Sequence, residues 1–306
     1  MQEKNSNINN NDIDNEIDFT EIFNILWDGK WIIISLTSLI SILGVLYSLS
    51  LPNIYTSKAT LAPVNPSNSI SGAIGGYSGL AGLAGISLPT GSDNGNAAKA
   101  LEKITTLSFF EDNILPNIFL PNLMAVKTWD SGTNSLIYND SIYIVDNDTW
   151  TIKPSAQQGY KAFSSQLRLI EDKKSGFVNI LIKHKSPFIA KQWVDLVIDE
   201  VNAFYREKDK AESERAISFL NQQIAMTGLS EIKQVLAQLL QEETKKLMLI
   251  EANEYFVFDY IDPPAVMEKK SEPRRSFICM LIAVLGGILS ILLVLIRYYF
   301  FKKKLA

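Results

Sequence analysis

Two uncharged stretches of 21 residues, Trp31 to Leu51 and Ser276 to Ile296, set the outer limits on how this 306-residue chain folds. At the rise of an α-helix each reaches about 31 Å, the thickness of a bilayer's hydrocarbon core. A buried core helix is rarely apolar for so long, so both stretches are predicted to span a membrane. Their flanks agree. Trp27, Lys30 and Trp31 crowd the start of the first, and Arg274 and Arg275 precede the second. Arg297, Tyr298, Tyr299 and Lys302 to Lys304 follow it, and such residues anchor helix ends at headgroups. The first stretch does not read as a cleavable signal, because 30 acidic-leaning residues precede it and its apolar run is too long.

The layout follows: a tail over 1–30, a span over 31–51, a loop domain over 52–275, a span over 276–296 and a tail over 297–306. Both tails lie on one side of the membrane. Formal charge is −5 for the first tail, −3 for the loop domain and +4 for the last. Cations beside the second span balance, Lys269, Lys270, Arg274 and Arg275 against Arg297, Lys302, Lys303 and Lys304, so charge leaves the orientation open. The overall balance of 29 Lys+Arg against 33 Asp+Glu argues against nucleic acid as a partner. A single cysteine and a single histidine exclude a disulfide framework, a Cys-rich zinc site and a His-rich metal centre.

Residues 1–16 are rich in Asn and acid and read as disordered. Phe19, Ile22, Phe23 and Leu26 follow at helical spacing, with Asp18 and Glu21 placed as a capping box. This segment reads equally as an interfacial helix and as a lead-in turn to the span. In the loop domain Tyr55 to Leu61 reads as a strand. Eight of the 16 glycines fall between Gly72 and Gly95. The run Gly75 to Gly85 lacks the Lys-Ser/Thr of a phosphate loop, so a subunit-contacting or mobile loop is the better reading. Residues 97–115 carry helical spacing. Further strands are predicted over Ser141 to Val145, Thr149 to Lys153, Leu167 to Glu171, Phe177 to Lys183 and Tyr255 to Ile261. Lys173 to Gly176 makes the turn of a hairpin.

The longest pattern lies between the last two strands. Ser186 and Pro187 read as an N-cap and a first-turn proline. The stripe Trp193, Val197, Val201, Phe204, Ile217, Leu220 and Ile224 then predicts one helix over about 187–227, broken at Gly228, with a second over about 230–254. The charged middle, Arg206 to Arg215, does not suit a globular core. The pair is predicted to project as a coiled-coil-like hairpin or to pack between subunits, with the stripe as an oligomer interface. The fold class is α+β: two transmembrane helices flanking an α/β base domain with a long protruding helical hairpin.

Chemistry is sparse. His184 sits between two lysines and reads as solvated, with no nucleophile to serve. Asp195 and Asp199, or Glu242 and Glu243, read as solvated helix-face acids with nearby lysines. A pair of carboxylates brought together from distant segments is not visible at this level. No catalytic residue, cofactor or metal is assigned, and the chain is read as a non-enzyme. The spans do carry small-residue faces: Thr37, Ser41, Gly44 and Ser48 on the first, Cys279, Ala283, Gly286, Gly287 and Ser290 on the second. Such faces let helices approach closely in lipid, against each other or against another membrane protein.

The C-terminal third is familiar as a pattern: Lys185-Ser186-Pro187, then Ala190, Trp193 and Val197 to Asn202; Ala216 to Asn221; Tyr255, Phe258 and Ile261-Asp262-Pro263-Pro264-Ala265; Pro273-Arg274-Arg275; and Leu285-Gly286-Gly287. With Ile17-Asp18 through Trp27 and Gly29-Lys30-Trp31, it resembles the Wzz-type chain-length determinants, the polysaccharide co-polymerases of Gram-negative inner membranes. The resemblance implies cytoplasmic termini, a periplasmic loop domain and a ring-shaped homo-oligomer. It also implies a Wzy-type polymerase as partner, with lipid-linked glycan and membrane lipid as further contacts. The function implied is non-catalytic control of O-antigen chain length. No kinase motif follows the second span, so the short, kinase-free type is implied. Pro263, Pro264 and Pro273, with Gly286 and Gly287, are the expected carriers of geometry. An adaptor for a separate tyrosine kinase in capsule or exopolysaccharide export is the alternative. A two-span sensor is disfavoured by the ten-residue last tail.

Overall fold

A computed structural model describes residues 19–64, 95–253 and 255–302. The Asn-rich tail, Asp18 of the expected capping box and nearly all of the Gly-rich run lie outside the described residues. In chain order the principal elements are α1 (Phe19–Asp28), α2 (Lys30–Ser50), β1 (Tyr55–Pro63), α3 (Gly95–Ile104), β2 (Val126–Asp130), β3 (Ser135–Tyr138), β4 (Tyr143–Ile144) and β5 (Thr149–Trp150). They continue with α4 (Ala156–Gln166), β6 (Leu167–Glu171), β7 (Val178–His184), α5 (Pro187–Met226), α6 (Ser230–Ala252), β8 (Phe258–Asp262) and α7 (Arg275–Lys302). Short helical turns fill 107–124. The chain divides into two compact units, one made of 1–51 with 273–306 and the other of 52–272.

In the first unit, α2 and α7 contain the two stretches long and apolar enough to cross a membrane, Lys30–Ser50 and Arg275–Tyr298. Most of their large side chains are exposed, among them Leu43, Leu46, Met280 and Leu285, as lipid-facing positions are. The helix does not stop at the end of the apolar stretch. Residues 297–302 are its last turns, where the sequence suggested a separate tail. In α1 it is Ile25 that turns inward, while Phe23 and Trp27 stack outward with ring centroids 6.1 Å apart. Phe23 is therefore exposed, whereas its expected stripe partner Leu26 is half-buried.

The second unit is built on a four-stranded antiparallel sheet of order β6-β7-β1-β8. The strand leaving the first span is thus central, with Tyr55 opposite His184 and Leu61 opposite Val178. Burial alternates along β7, where Val178, Ile180, Ile182 and His184 face inward. The N-terminal half of α5 lies on that face, and Trp193, Val194, Val197, Ile198 and Val201 close the core with Ala59, Leu61 and Phe258. Each such aliphatic side chain removed from water stabilises the unit by about 1.5–3 kcal/mol. Ala100, Ile104, Phe109, Phe110, Ile114 and Phe163 extend the same core.

Several expectations shift here. The strands at 141–145 and 149–153 shrink to the two-residue ladder β4–β5. The β2–β3 ladder and helix α4 were not foreseen. A signal for α4 was present, because Ser155 and Gln158 form a reciprocal capping box. The turn at 173–176 is as expected: Gly176 takes φ +72°, the left-handed conformation glycine adopts without strain, and Asp172 accepts the Lys174 N–H at 2.9 Å. Gly228 is not such a cap. Helix α5 ends because Thr227 turns to extended backbone, and Gly228 is not left-handed. Ser186 holds the N-cap position, yet its side chain makes no capping bond.

Candidate functional site

Three places come from the sequence and one from the structure alone. The small-residue faces of α2 and α7 meet each other. Thr37 Oγ1 donates to Ser290 Oγ at 3.1 Å, and Ser290 donates on to the Gly286 carbonyl at 2.6 Å. Gly44 and Ser48 are buried in this seam, whereas Ser41, Cys279 and Ala283 are half-buried on the same faces. A Cβ on Gly44 would come within 2.6 Å of Ile282 Cγ2, and one on Gly286 within 2.9 Å of Ile40 Cγ2. Close backbone approach is thus what these two glycines provide. A Cβ on Gly287 would meet nothing within 4 Å, so that glycine is not part of the seam.

The proline segment follows β8. Pro264 is buried and Pro263 exposed, with Pro273 half-buried. Chain 265–272 returns along the start of β1: Ser57 Oγ donates to the Ala265 carbonyl at 2.9 Å, and Ile54 bridges Glu272. Having no N–H, the prolines sit off the ladder, and the Ser57 side chain and the backbone bridge at Ile54 hold the segment.

The helix stripe divides. Trp193, Val197 and Val201 are fully buried against the sheet of their own chain, which corrects their assignment to an oligomer interface. Phe204 is half-buried and meets Phe109 edge-on at 6.4 Å, with Lys103 Nζ 4.7 Å above its ring. Beyond it α5 leaves the core and pairs with α6. Lys210 reaches Glu251 at 2.9 Å, Arg206 donates to the Asn253 carbonyl at 3.2 Å, and Leu220 is buried between half-buried Ile217 and Ile224. The hairpin is therefore real, and α5 is about 60 Å long. Asp195, read as a helix-face acid with lysines nearby, pairs with Lys191 at 2.6 Å.

Periodicity gives Asn202 no role, and His184 is not the solvated residue its lysine neighbours suggest. Asn202 is buried, and its Oδ1 accepts the Val257 and Phe258 N–H groups at 2.8 and 3.0 Å while Nδ2 donates to the Phe258 carbonyl at 3.0 Å. This side chain ties the long helix to β8. His184 is buried, not solvated. Its Nδ1 accepts the Ser186 N–H at 2.9 Å, so the ring proton sits on Nε2, 2.9 Å from the Asn122 carbonyl. Trp193 packs edge-on at 5.0 Å. Burial, more than any other cause, holds the His184 pKa below the ordinary imidazole value. Alternation along β7 was the available signal for its inward direction. Among the described residues no group of three or more His, Cys, Asp or Glu is placed to hold a metal ion.

Residues 15–104 match the family model described as Wzz, chain length determinant protein. Over this segment the chain is similar to that family. The matched segment takes in both the first membrane-length helix, α2, and β1 of the central sheet. No curated protein matches the chain. Among solved structures it is similar to a full-length bacterial polysaccharide co-polymerase, at 14% identity and a TM-score of 0.42, covering 93% of this chain and 99% of that one. It is also similar to a fragment of WzzB, the polysaccharide co-polymerase from Salmonella Typhimurium, at 12% identity and a TM-score of 0.33, covering 72% and 100%.

Proposed function

We propose that this protein regulates the chain length of a surface polysaccharide, the O-antigen of lipopolysaccharide, without catalysing its polymerisation. In this reading it resides in the bacterial inner membrane with cytoplasmic termini and unit 52–272 in the periplasm. It works as a homo-oligomer beside a Wzy-type polymerase. The observation that carries the reading is the match of residues 15–104 to the chain length determinant family. The geometry supports it, because the long hairpin keeps apolar side chains that its own chain does not cover. On α6 the inward face uses Leu236, Leu240, Leu247 and Ile250, while Ile232, Val235 and Leu239 stay exposed together, as does Phe219 on α5. These exposed residues, not Trp193, Val197 and Val201, are the proposed contact between copies. The seam of α2 and α7 leaves Gly287 and the outer faces of both helices for a polymerase.

An O-antigen ladder on a gel, from cells with and without the gene, tests the proposal. A modal band that appears on expression supports it, and a ladder of unchanged distribution refutes it. A reporter fused near residue 210 tests the orientation, which requires periplasmic activity there.

A further inference from the structure

A cavity of about 310 Å³ opens in unit 52–272 at the end of β7, where Ile54 and Glu272 bring the chain in and out of the unit. Its wall includes Lys183, His184, Lys185, Gln166 and Glu272. We infer that this cavity binds the phosphate of a small ester, with the Lys185 ammonium as its cationic contact.

The charge arrangement points to an anion. Lys183 is neutralised by an ion pair with Glu272. His184 contributes no charge, because one ring nitrogen accepts the Ser186 N–H and the other faces the Asn122 carbonyl. Lys185 is different. Its ammonium donates to the Val126 carbonyl, and among the described residues it makes no ion pair. Lys185 is half-buried, and an ammonium partly removed from water without a counter-charge carries a cost that an anion beside it offsets. Burial also pushes the Lys185 pKa down, the sign expected of a cation that lacks a counter-ion.

The volume is at the small end for ligand cavities and suits a headgroup, not an oligosaccharide. In sequence, Ile54 follows the last residue of α2 by four residues and Glu272 precedes Arg275 by three. A lipid headgroup and a soluble phosphate ester share this chemistry, and the experiment separates them.

The full chain is placed in nanodiscs of phosphatidylcholine and titrated calorimetrically with sn-glycerol 3-phosphate and, separately, with dihexanoylphosphatidylglycerol. One saturable site is expected for at least one of them, and the tighter ligand names the source. Lys185→Gln should weaken that binding about tenfold or more, the loss expected for a charge-assisted bond. Lys185→Arg, which keeps the charge, should retain it. Glu272→Gln releases the Lys183 ammonium and should tighten binding, an outcome misfolding cannot produce. Absence of saturable binding by either probe overturns the inference, as does equal affinity in wild type and Lys185→Gln. The O-antigen ladder is a separate readout, so failure here leaves the chain-length proposal standing.

Discussion

Replacing Asn202 by Ala should be among the most damaging single changes in unit 52–272. Its amide makes three hydrogen bonds of 2.8–3.0 Å to the backbone of Val257 and Phe258, all of them buried. Alanine leaves two N–H groups and one carbonyl without partners where water does not reach. Each unsatisfied group costs about 1–3 kcal/mol, and with partial relaxation the sum is about 4 kcal/mol. That is a large fraction of the roughly 5–15 kcal/mol that holds a domain folded. At about 2–4 °C per kcal/mol for a unit of this size, the melting temperature should fall by about 8–16 °C. Tryptophan fluorescence of the full chain in detergent micelles is a suitable assay, because Trp193 is buried in the same core. Asn202→Asp keeps an acceptor but turns a carboxylate toward the Phe258 carbonyl, and should destabilise comparably. A melting temperature for Asn202→Ala within about 2 °C of wild type would refute the claim that this side chain clamps α5 to β8.

Other expectations are as follows. His184 has a depressed pKa in the fold, so the unfolded chain binds the proton more readily. Stability should be fully present above the unfolded imidazole value and decline as pH falls from there toward the folded one. Urea titrations across that window should show the decline in wild type and a weaker one in His184→Gln. In the membrane unit, Gly44→Leu should separate α2 from α7 and Gly287→Leu should not. Oxidative cross-linking of Thr37→Cys with Ser290→Cys, in a Cys279→Ala background, should be lost only in the first case. The double variant Val235→Glu and Leu239→Glu should reduce oligomer mass by light scattering without changing the melting temperature, because both side chains are exposed in the single chain. An unchanged mass would place the subunit contact elsewhere.

Both membrane-length helices, β6 and β7 with their Gly176 turn, and the α5–α6 hairpin were legible in the chain because each is a local periodicity. Apolar length, alternation and a repeat of three or four residues all leave their mark along the sequence. The β2–β3 and β4–β5 ladders are too short to carry such a mark, and α4 announces itself only through the Ser155–Gln158 cap. What periodicity cannot say is which surface covers which. The stripe from Trp193 to Ile224 is continuous in sequence, but the sheet buries its first half and α6 shields its second, which leaves Ile232, Val235 and Leu239 as exposed apolar residues. Likewise Gly286 and Gly287 are adjacent and chemically identical, and only the approach of Ile40 makes one a packing site and leaves the other open. His184, Lys185 and Asn202 look like ordinary polar residues in the chain. Their burial, their hydrogen bonds and the cavity at Lys185 arise from contacts between segments 50 to 100 or more residues apart, which local pattern does not encode.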